Sequence, residues 1–118
     1  MVNRAPLVVA VAAALLWANA AIGADHPITL GAGATSCGKW TEDRADNIRR
    51  AINGEWVLGY LSAADALYGD NRNLPGETDA YGLYAWMDAE CAAHPLESIS
   101  DAALLLVLTL SHKAAKRP

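Results

Sequence analysis

The pattern of apolar and polar positions beyond residue 40 predicts helices. In the first of them the apolar positions recur three and four residues apart, at Ala45, Ile48, Ala51 and Ile52. Thr41 precedes this pattern as an N-cap, with Glu42 and Asp43 in the first turn. Asn53 and Gly54 form a helix-end signal, so the first helix is predicted to stop or kink there.

Residues 55–68 predict a second helix that is apolar around most of its circumference. We expect it to be the central, most buried element. Gly59 is tolerated inside this helix at a cost of about 1 kcal/mol, and the expected reason is close approach by a neighbouring helix. The polar stretch 69–77, with its Pro75 and Gly76 turn signal, is predicted to be a loop.

Two further helices follow this loop. Residues 79–93 are predicted to form one, with Thr78 as its N-cap and the pair His94 and Pro95 as its end, because the residue before a proline is pushed away from helical geometry. Ser98 and Asp101 have the spacing of a capping box and predict a last helix from 99 to about 113.

The last helix carries apolar residues on two sides. One apolar face consists of Ile99, Ala102, Ala103, Leu106, Val107 and Leu110. A second, roughly opposite, consists of Leu104, Leu105 and Leu108. A small bundle rarely covers both sides of a terminal helix, which favours an interface with a second copy or with a partner protein. The alternative is that another helix, or residues 25–36, covers the second face.

The first 24 residues have the pattern of a secretory signal peptide. Arg4 precedes an apolar run over 5–17, and small residues lead to a preferred cut between Ala24 and Asp25, with a cut after Ala20 as the alternative. An uncleaved N-terminal anchor is the other interpretation. Residues 25–36 lack periodicity and are predicted to be an extended arm. No second apolar stretch is long enough to span a membrane, so we expect no span after cleavage.

The two cysteines, Cys37 and Cys91, are predicted to form a disulfide, which is the default in the oxidising compartment that a signal peptide implies. Closing a loop of this length should stabilise the fold by roughly 4 kcal/mol. The fold class expected from these observations is all-α, a small bundle of about four helices stapled by one disulfide, in a helical domain over 37–118.

The charge balance argues against a nucleic-acid partner. Without Arg4 the chain carries 8 basic and 13 acidic residues, and phosphate binding requires a basic face. Strong acid would reverse this balance, because protonated carboxylates and three charged histidines would leave roughly +11.

The candidate catalytic and cofactor motifs are weak. The glycine and lysine spacing over 33–39 matches a phosphate-binding loop, but Trp40 stands where magnesium needs a hydroxyl and no predicted strand precedes it. Cys91 and His94 could offer a thiolate and an imidazole to a metal, but further close ligands are missing and a disulfide would remove the thiolate. We therefore expect no catalytic residues, no cofactor, no metal and no enzymatic activity.

Four stretches of the chain resemble small secreted bacterial proteins with two cysteines and a helical fold. They are CGKWT at 37–41, WVLGYLSAA at 56–64, WMDAECAAHPL at 86–96 and ISDAA at 99–103. The two-cysteine helical layout resembles the HdeA-type periplasmic acid-stress chaperones. GYL at 59–61, together with His94 and Pro95, is similar to the Tai/Rap immunity proteins.

Each resemblance implies a function. The chaperone family implies a dimer at neutral pH that loosens in acid and offers apolar surface to clients, for which Leu104, Leu105 and Leu108 are the candidates. The immunity family implies inhibition of a periplasmic hydrolase by a loop, here 69–78 with Asn71 and Leu74 as contacts. The expectation is a periplasmic or secreted, non-enzymatic protein that binds a protein partner or client, with a self-associating envelope protein as a further alternative.

Overall fold

The computed structural model describes residues 27–118 and shows four α-helices in this part of the chain. The helices are α1 (Cys37–Asp43), α2 (Asn47–Tyr68), α3 (Ala80–Ala93) and α4 (Ile99–Ala115), and a 3-10 turn at Gly31–Ala34 precedes them. A Cys37–Cys91 disulfide joins α1 to α3. The predicted all-α bundle with one disulfide is therefore confirmed. The predicted leader and its cleavage site lie outside the described residues.

The helix boundary predicted at Asn53 and Gly54 is wrong, because α2 runs unbroken from residue 47 to 68. The break lies earlier, at residues 44–46. The Asp46 carboxylate there accepts hydrogen bonds of 2.9 Å from the amides of Ile48 and Arg49, which makes Asp46 the N-cap of α2.

Asn53 and Gly54 have tertiary roles that explain their place inside a helix. The Asn53 side chain is buried and donates a hydrogen bond of 3.0 Å to Asp43 Oδ2. A Cβ atom on Gly54 would lie 2.9 Å from the ring of Tyr84, so glycine permits the aromatic side chain of α3 to approach the α2 backbone. A buried hydrogen bond and a close helix contact can thus require the same Asn-Gly pair that a turn requires.

The start of α1 also differs from the prediction. Ser36, not Thr41, is the N-cap, and its side chain accepts a hydrogen bond from the Lys39 amide. Asp43 is the last residue of α1 and does not lie in a first turn. The remaining caps are closer to expectation: Asp79, one residue after the predicted Thr78, caps α3, and the capping box of Ser98 and Asp101 is confirmed.

Backbone contacts fasten the first turn of α1 to the turn between α3 and α4. The amides of Cys37 and Gly38 donate to the carbonyls of Glu97 and Pro95 at 2.7 and 2.9 Å. In return the Ile99 amide donates to Thr35 at 2.9 Å. The free N–H groups at the N-terminus of α1 therefore find partners in a segment that the disulfide also holds nearby.

The described part of the arm, residues 27–36, is docked on the bundle and contains the 3-10 turn, where the sequence predicted an extended segment. The Trp56 indole donates a hydrogen bond of 2.8 Å to the Leu30 carbonyl. A Cβ atom on Gly33 would lie 2.0 Å from the same indole, so the arm can contact Trp56 only where it has no side chain. The arm therefore packs on α2.

The core is centred on α4 and not on the segment 55–68. Helix α4 buries Ile99, Ala102, Ala103, Leu106, Val107, Leu110 and Ala114. Gly59, for which a close helix neighbour was expected, is exposed and a Cβ atom there would have no atom within 4 Å. One whole side of α4 therefore packs against α2 and α3, and its opposite side faces outward.

Candidate functional site

The outward side of α4 carries the exposed apolar residues that the sequence analysis singled out. The side chains of Leu104, Leu105 and Leu108 are 48 %, 42 % and 57 % exposed. No described residue covers them fully. Leu106 and Val107, on the opposite side of the helix, are buried. We call Leu104, Leu105 and Leu108 the leucine face.

Two shallow depressions adjoin the leucine face and share Leu104 and Asp101. The first has a volume of about 310 Å³ and is lined by Glu97, Asp101, Leu104, Leu105 and Leu108. The second, about 440 Å³, lies between the arm, α2 and α4, and includes Ile28, Leu30 and Tyr60 in its lining. The second depression was not foreseen, because its formation depends on the arm docking against Trp56.

Polar and charged groups flank the leucine face at both ends of α4. Glu97 and Asp101 lie at its N-terminal end, whereas His112 and Lys116 lie at its C-terminal end. Asp101 also accepts a hydrogen bond of 2.7 Å from the Ser98 hydroxyl within the capping box. This distribution complements the helix dipole and gives the outward side of α4 an acidic end and a basic end.

The other predicted contact residues, Asn71 and Leu74, lie apart from the leucine face in the loop between α2 and α3. Asn71 is exposed. Leu74 is only 4 % exposed and belongs to the hydrophobic core. A Leu74→Ala substitution would therefore remove buried apolar volume and destabilise the fold.

The loop that carries Asn71 is held in a strained backbone conformation. Asp70, Asn71 and Asn73 have φ values of 51°, 59° and 51°, in the left-handed region that most side chains avoid. Two side chains brace the loop. Asp65 accepts a hydrogen bond of 2.7 Å from the Leu74 amide, and Arg117 donates one of 2.7 Å to the Asn73 carbonyl.

A polar cluster that the sequence analysis did not find joins α1 to α3. Arg44 contacts both carboxylate oxygens of Asp88, at 2.8 and 3.0 Å. The indole of Trp40 donates to the same carboxylate at 2.7 Å. The Arg44 guanidinium also lies over the rings of Trp40 and Tyr84, 5.5 and 5.8 Å from their centroids. Because these side chains contact one another, the cluster acts as a structural clamp between α1 and α3.

Asp43 is the most buried charged residue described, at 6 % exposure. The Lys39 ammonium lies 2.9 Å from its Oδ1 atom and holds the pKa of the Asp43 carboxyl below its ordinary value, against the opposing effect of burial. The Asn53 amide and the Arg49 guanidinium act in the same direction as Lys39. This carboxylate therefore remains charged and ties α1 to α2.

His94 lies between two carboxylates at the end of α3. Its Nε2 atom is 3.7 Å from Glu90 and its Nδ1 atom 3.9 Å from Glu97. One ligand atom from each of the three residues lies within 4.8 Å of the others. Cys91, the other residue considered as a metal ligand with His94, is held in the disulfide.

Comparison of the chain with models of known protein families, with curated protein sequences and with solved structures finds no match. Within residues 27–118, every helix is too short or too polar to cross a membrane.

Proposed function

We propose that this chain is an exported, non-enzymatic protein that binds another polypeptide through the leucine face. The observation that carries the proposal is the shared exposure of Leu104, Leu105 and Leu108 on a helix whose other side is the centre of the core. Exposed apolar residues that adjoin one another are typical of surfaces that bind proteins.

The scaffold supports this function because it keeps the leucine face outward. Turning α4 to bury Leu105 would expose Leu106 and Val107, which are almost fully buried. The disulfide and the hydrogen bonds of Cys37 and Gly38 hold the turn that precedes α4. A face that is already in place before binding loses little conformational freedom when a partner docks.

The disulfide fits an oxidising, extracytoplasmic compartment. We propose the periplasm as that compartment, on the pattern of the leader over residues 1–24.

We further propose that the bound polypeptides are clients that unfold in acid. The charged carboxylates of Asp43 and Asp46 support the junction of α1 and α2, and both have pKa values below their ordinary range. Only strong acid would neutralise them, and the junction would then loosen. The resemblance to the HdeA-type chaperones supports the same proposal.

Light scattering from an acid-denatured model enzyme, at about pH 3 and again at neutral pH, tests this function. We expect the wild-type chain to suppress aggregation in acid and the double variant L105S/L108S to lose most of that effect. The matched control is Ile48→Ser on α2, which replaces a side chain that is 73 % exposed and does not line either depression. Equal protection by the wild type and the leucine variant would contradict the proposal.

The braced loop between α2 and α3 supports a second candidate function, inhibition of an envelope hydrolase. A loop held with three residues at positive φ presents Asn71 in one conformation, which suits insertion into a cleft. Asn71→Gly tests this function more specifically than an alanine substitution, because glycine tolerates the positive φ and the change removes only the side chain. Loss of a stoichiometric hydrolase complex in Asn71→Gly, with full binding by L105S/L108S, would favour inhibition over client binding.

A further inference from the structure

The exposed residues along α4 follow the spacing of a helix-pairing seam. Asp101, Leu105, Leu108, His112 and Ala115 are all exposed and succeed one another by four, three, four and three residues. This alternation places the five side chains in one stripe along the helix, as the a and d positions do in a coiled coil. Within the described residues, no helix packs against this side of α4.

We propose that a second copy of this chain occupies the leucine face, with the two α4 helices packed antiparallel about a two-fold axis. The inference rests on the proposed function, because it names the partner of the same surface. A two-fold interface is self-complementary, so each contact must occur twice, once from each copy. The stripe on α4 meets this requirement in one register.

In that register, Leu105 of each copy packs against Leu108 of the other. The axis then passes between residues 106 and 107, close to the middle of α4 (Ile99–Ala115). Residues of α4 equally distant from the axis become neighbours, so Asp101 faces His112. Glu97 lies in the turn before α4 and lines the same depression as the leucines, which places it at the end that meets Lys116 of the other copy. Both leucine contacts are central, and the contacts of Asp101 and Glu97 lie at the ends.

The charges select the antiparallel arrangement over the parallel one. Two parallel α4 helices would place Asp101 beside its own copy, and Lys116 likewise, which joins like charges. The antiparallel arrangement joins each acidic end to a basic end. The seam therefore has the polarity that an antiparallel pair requires.

The arm and α2 would enlarge the contact beyond two helices. The depression that contains Ile28, Leu30 and Tyr60 meets the leucine face at Leu104, so it continues the apolar surface. Ile28 and Leu30 are 86 % and 75 % exposed. A stable dimer buries on the order of 1,200 Å² or more in total, and this depression adds apolar surface to that of the two α4 helices.

Sedimentation velocity from about 1 to about 500 µM measures this self-association in the full domain. We expect a monomer–dimer equilibrium that L105S/L108S abolishes. Glu97→Lys and Lys116→Glu should each weaken the dimer about tenfold, because two symmetry-related pairs change sign, and the double variant should restore it. Glu77→Lys, an exposed residue of the loop before α3, is the matched charge control. A wild-type chain that remains monomeric throughout would overturn the inference.

Crosslinking tests the register. In an equal mixture of Leu105→Cys and Leu108→Cys chains, with one chain mass-labelled, the antiparallel seam should give mixed dimers well above the half that chance produces. Predominant crosslinks between identical chains would indicate a parallel pair and would overturn the register.

The same variants separate this inference from the proposed function. Lys116→Glu leaves the leucine face and the lining of both depressions unchanged, and it should therefore retain or increase protection of an acid-denatured enzyme while it weakens the dimer. Protection without any self-association would contradict only the proposed dimer. Self-association without protection would contradict only the proposed client binding.

Discussion

The side-chain amide of Asn53, the seventh residue of α2, donates a hydrogen bond of 3.0 Å to the carboxylate of Asp43, the last residue of α1. Both residues are only 6 % exposed. The contact joins two helices whose connection is just three residues long, so it sets the angle at which the chain turns from α1 into α2. The integrity of this junction therefore depends on a buried polar pair.

Replacing Asn53 with alanine should destabilise the protein by about 1–3 kcal/mol, because it leaves one oxygen of a buried carboxylate without its donor. The free energy of unfolding in urea measures the effect. Asn47→Ala is the control, since Asn47 is exposed and its contact with Arg50 lies on the surface; it should change stability by less than about 0.5 kcal/mol. Equal effects of both substitutions would contradict the role given to Asn53.

Acid should weaken the junction through Asp43 and Asp46. Lys39 lowers the pKa of Asp43, and the amides of Arg49 and Ile48 lower that of Asp46, both from the ordinary value of 3.8. A carboxylate with a lowered pKa in the folded state contributes stability that is fully present above pH 3.8 and is lost as the pH falls through the lower, folded value.

The Asp46→Asn variant checks this sign. Asparagine can still cap α2 but does not titrate, so its stability should fall less between about pH 5 and about pH 2 than that of the wild type. Circular dichroism during urea unfolding at each pH measures the difference. A steeper acid loss in the variant than in the wild type would refute the assignment.

Two glycines of α2 should respond oppositely to alanine. Gly59→Ala should stabilise the protein by about 0.5–1 kcal/mol, because the position is helical, exposed and open. Gly54→Ala should destabilise it, since the new Cβ atom would lie 2.9 Å from the Tyr84 ring. Thermal unfolding of the two variants gives a matched comparison, and a lower midpoint for Gly59→Ala would show that this surface is covered by something else.

Removing the disulfide with the double variant C37S/C91S should lower stability by about 4 kcal/mol, given a sequence separation of 54 residues. Such a loss approaches the whole stability of a small domain. We expect a partly unfolded variant at ambient temperature, detected by loss of helical ellipticity. A variant with wild-type stability would mean that the backbone hydrogen bonds of Cys37 and Gly38 suffice to hold α1 in place.

The fold class could be predicted because its signals are local. Apolar spacing marks α3 and α4, the capping box of Ser98 and Asp101 marks the start of α4, and two cysteines in an exported chain predict their own pairing. The break between α1 and α2 could not be placed correctly. Asn53 and Gly54 carry a strong turn signal, and only the positions of Asp43 and Tyr84 in space reveal their other roles.

The candidate site was predictable to the same extent. The second apolar side of α4 is visible in the helical spacing of Leu104, Leu105 and Leu108, and the structure places all three at the surface. Leu74 resembles a loop residue in sequence, yet it is buried and belongs to the hydrophobic core. The clamp of Arg44 and Asp88 joins residues 44 positions apart and has no local signature.

The attachment of the first turn of α1 to residues 95–99 also determines the order in which the molecule can form. A chain that emerges from its N-terminus presents Cys37 54 residues before Cys91, so the disulfide and the hydrogen bonds of the first turn of α1 cannot form until residues 91–99 are available. Helical proteins usually fold fast because their contacts are near in sequence. Here the contacts of that turn are non-local, so the N-terminal end of the first helix gains its partners only when the end of α3 and the turn after it are present.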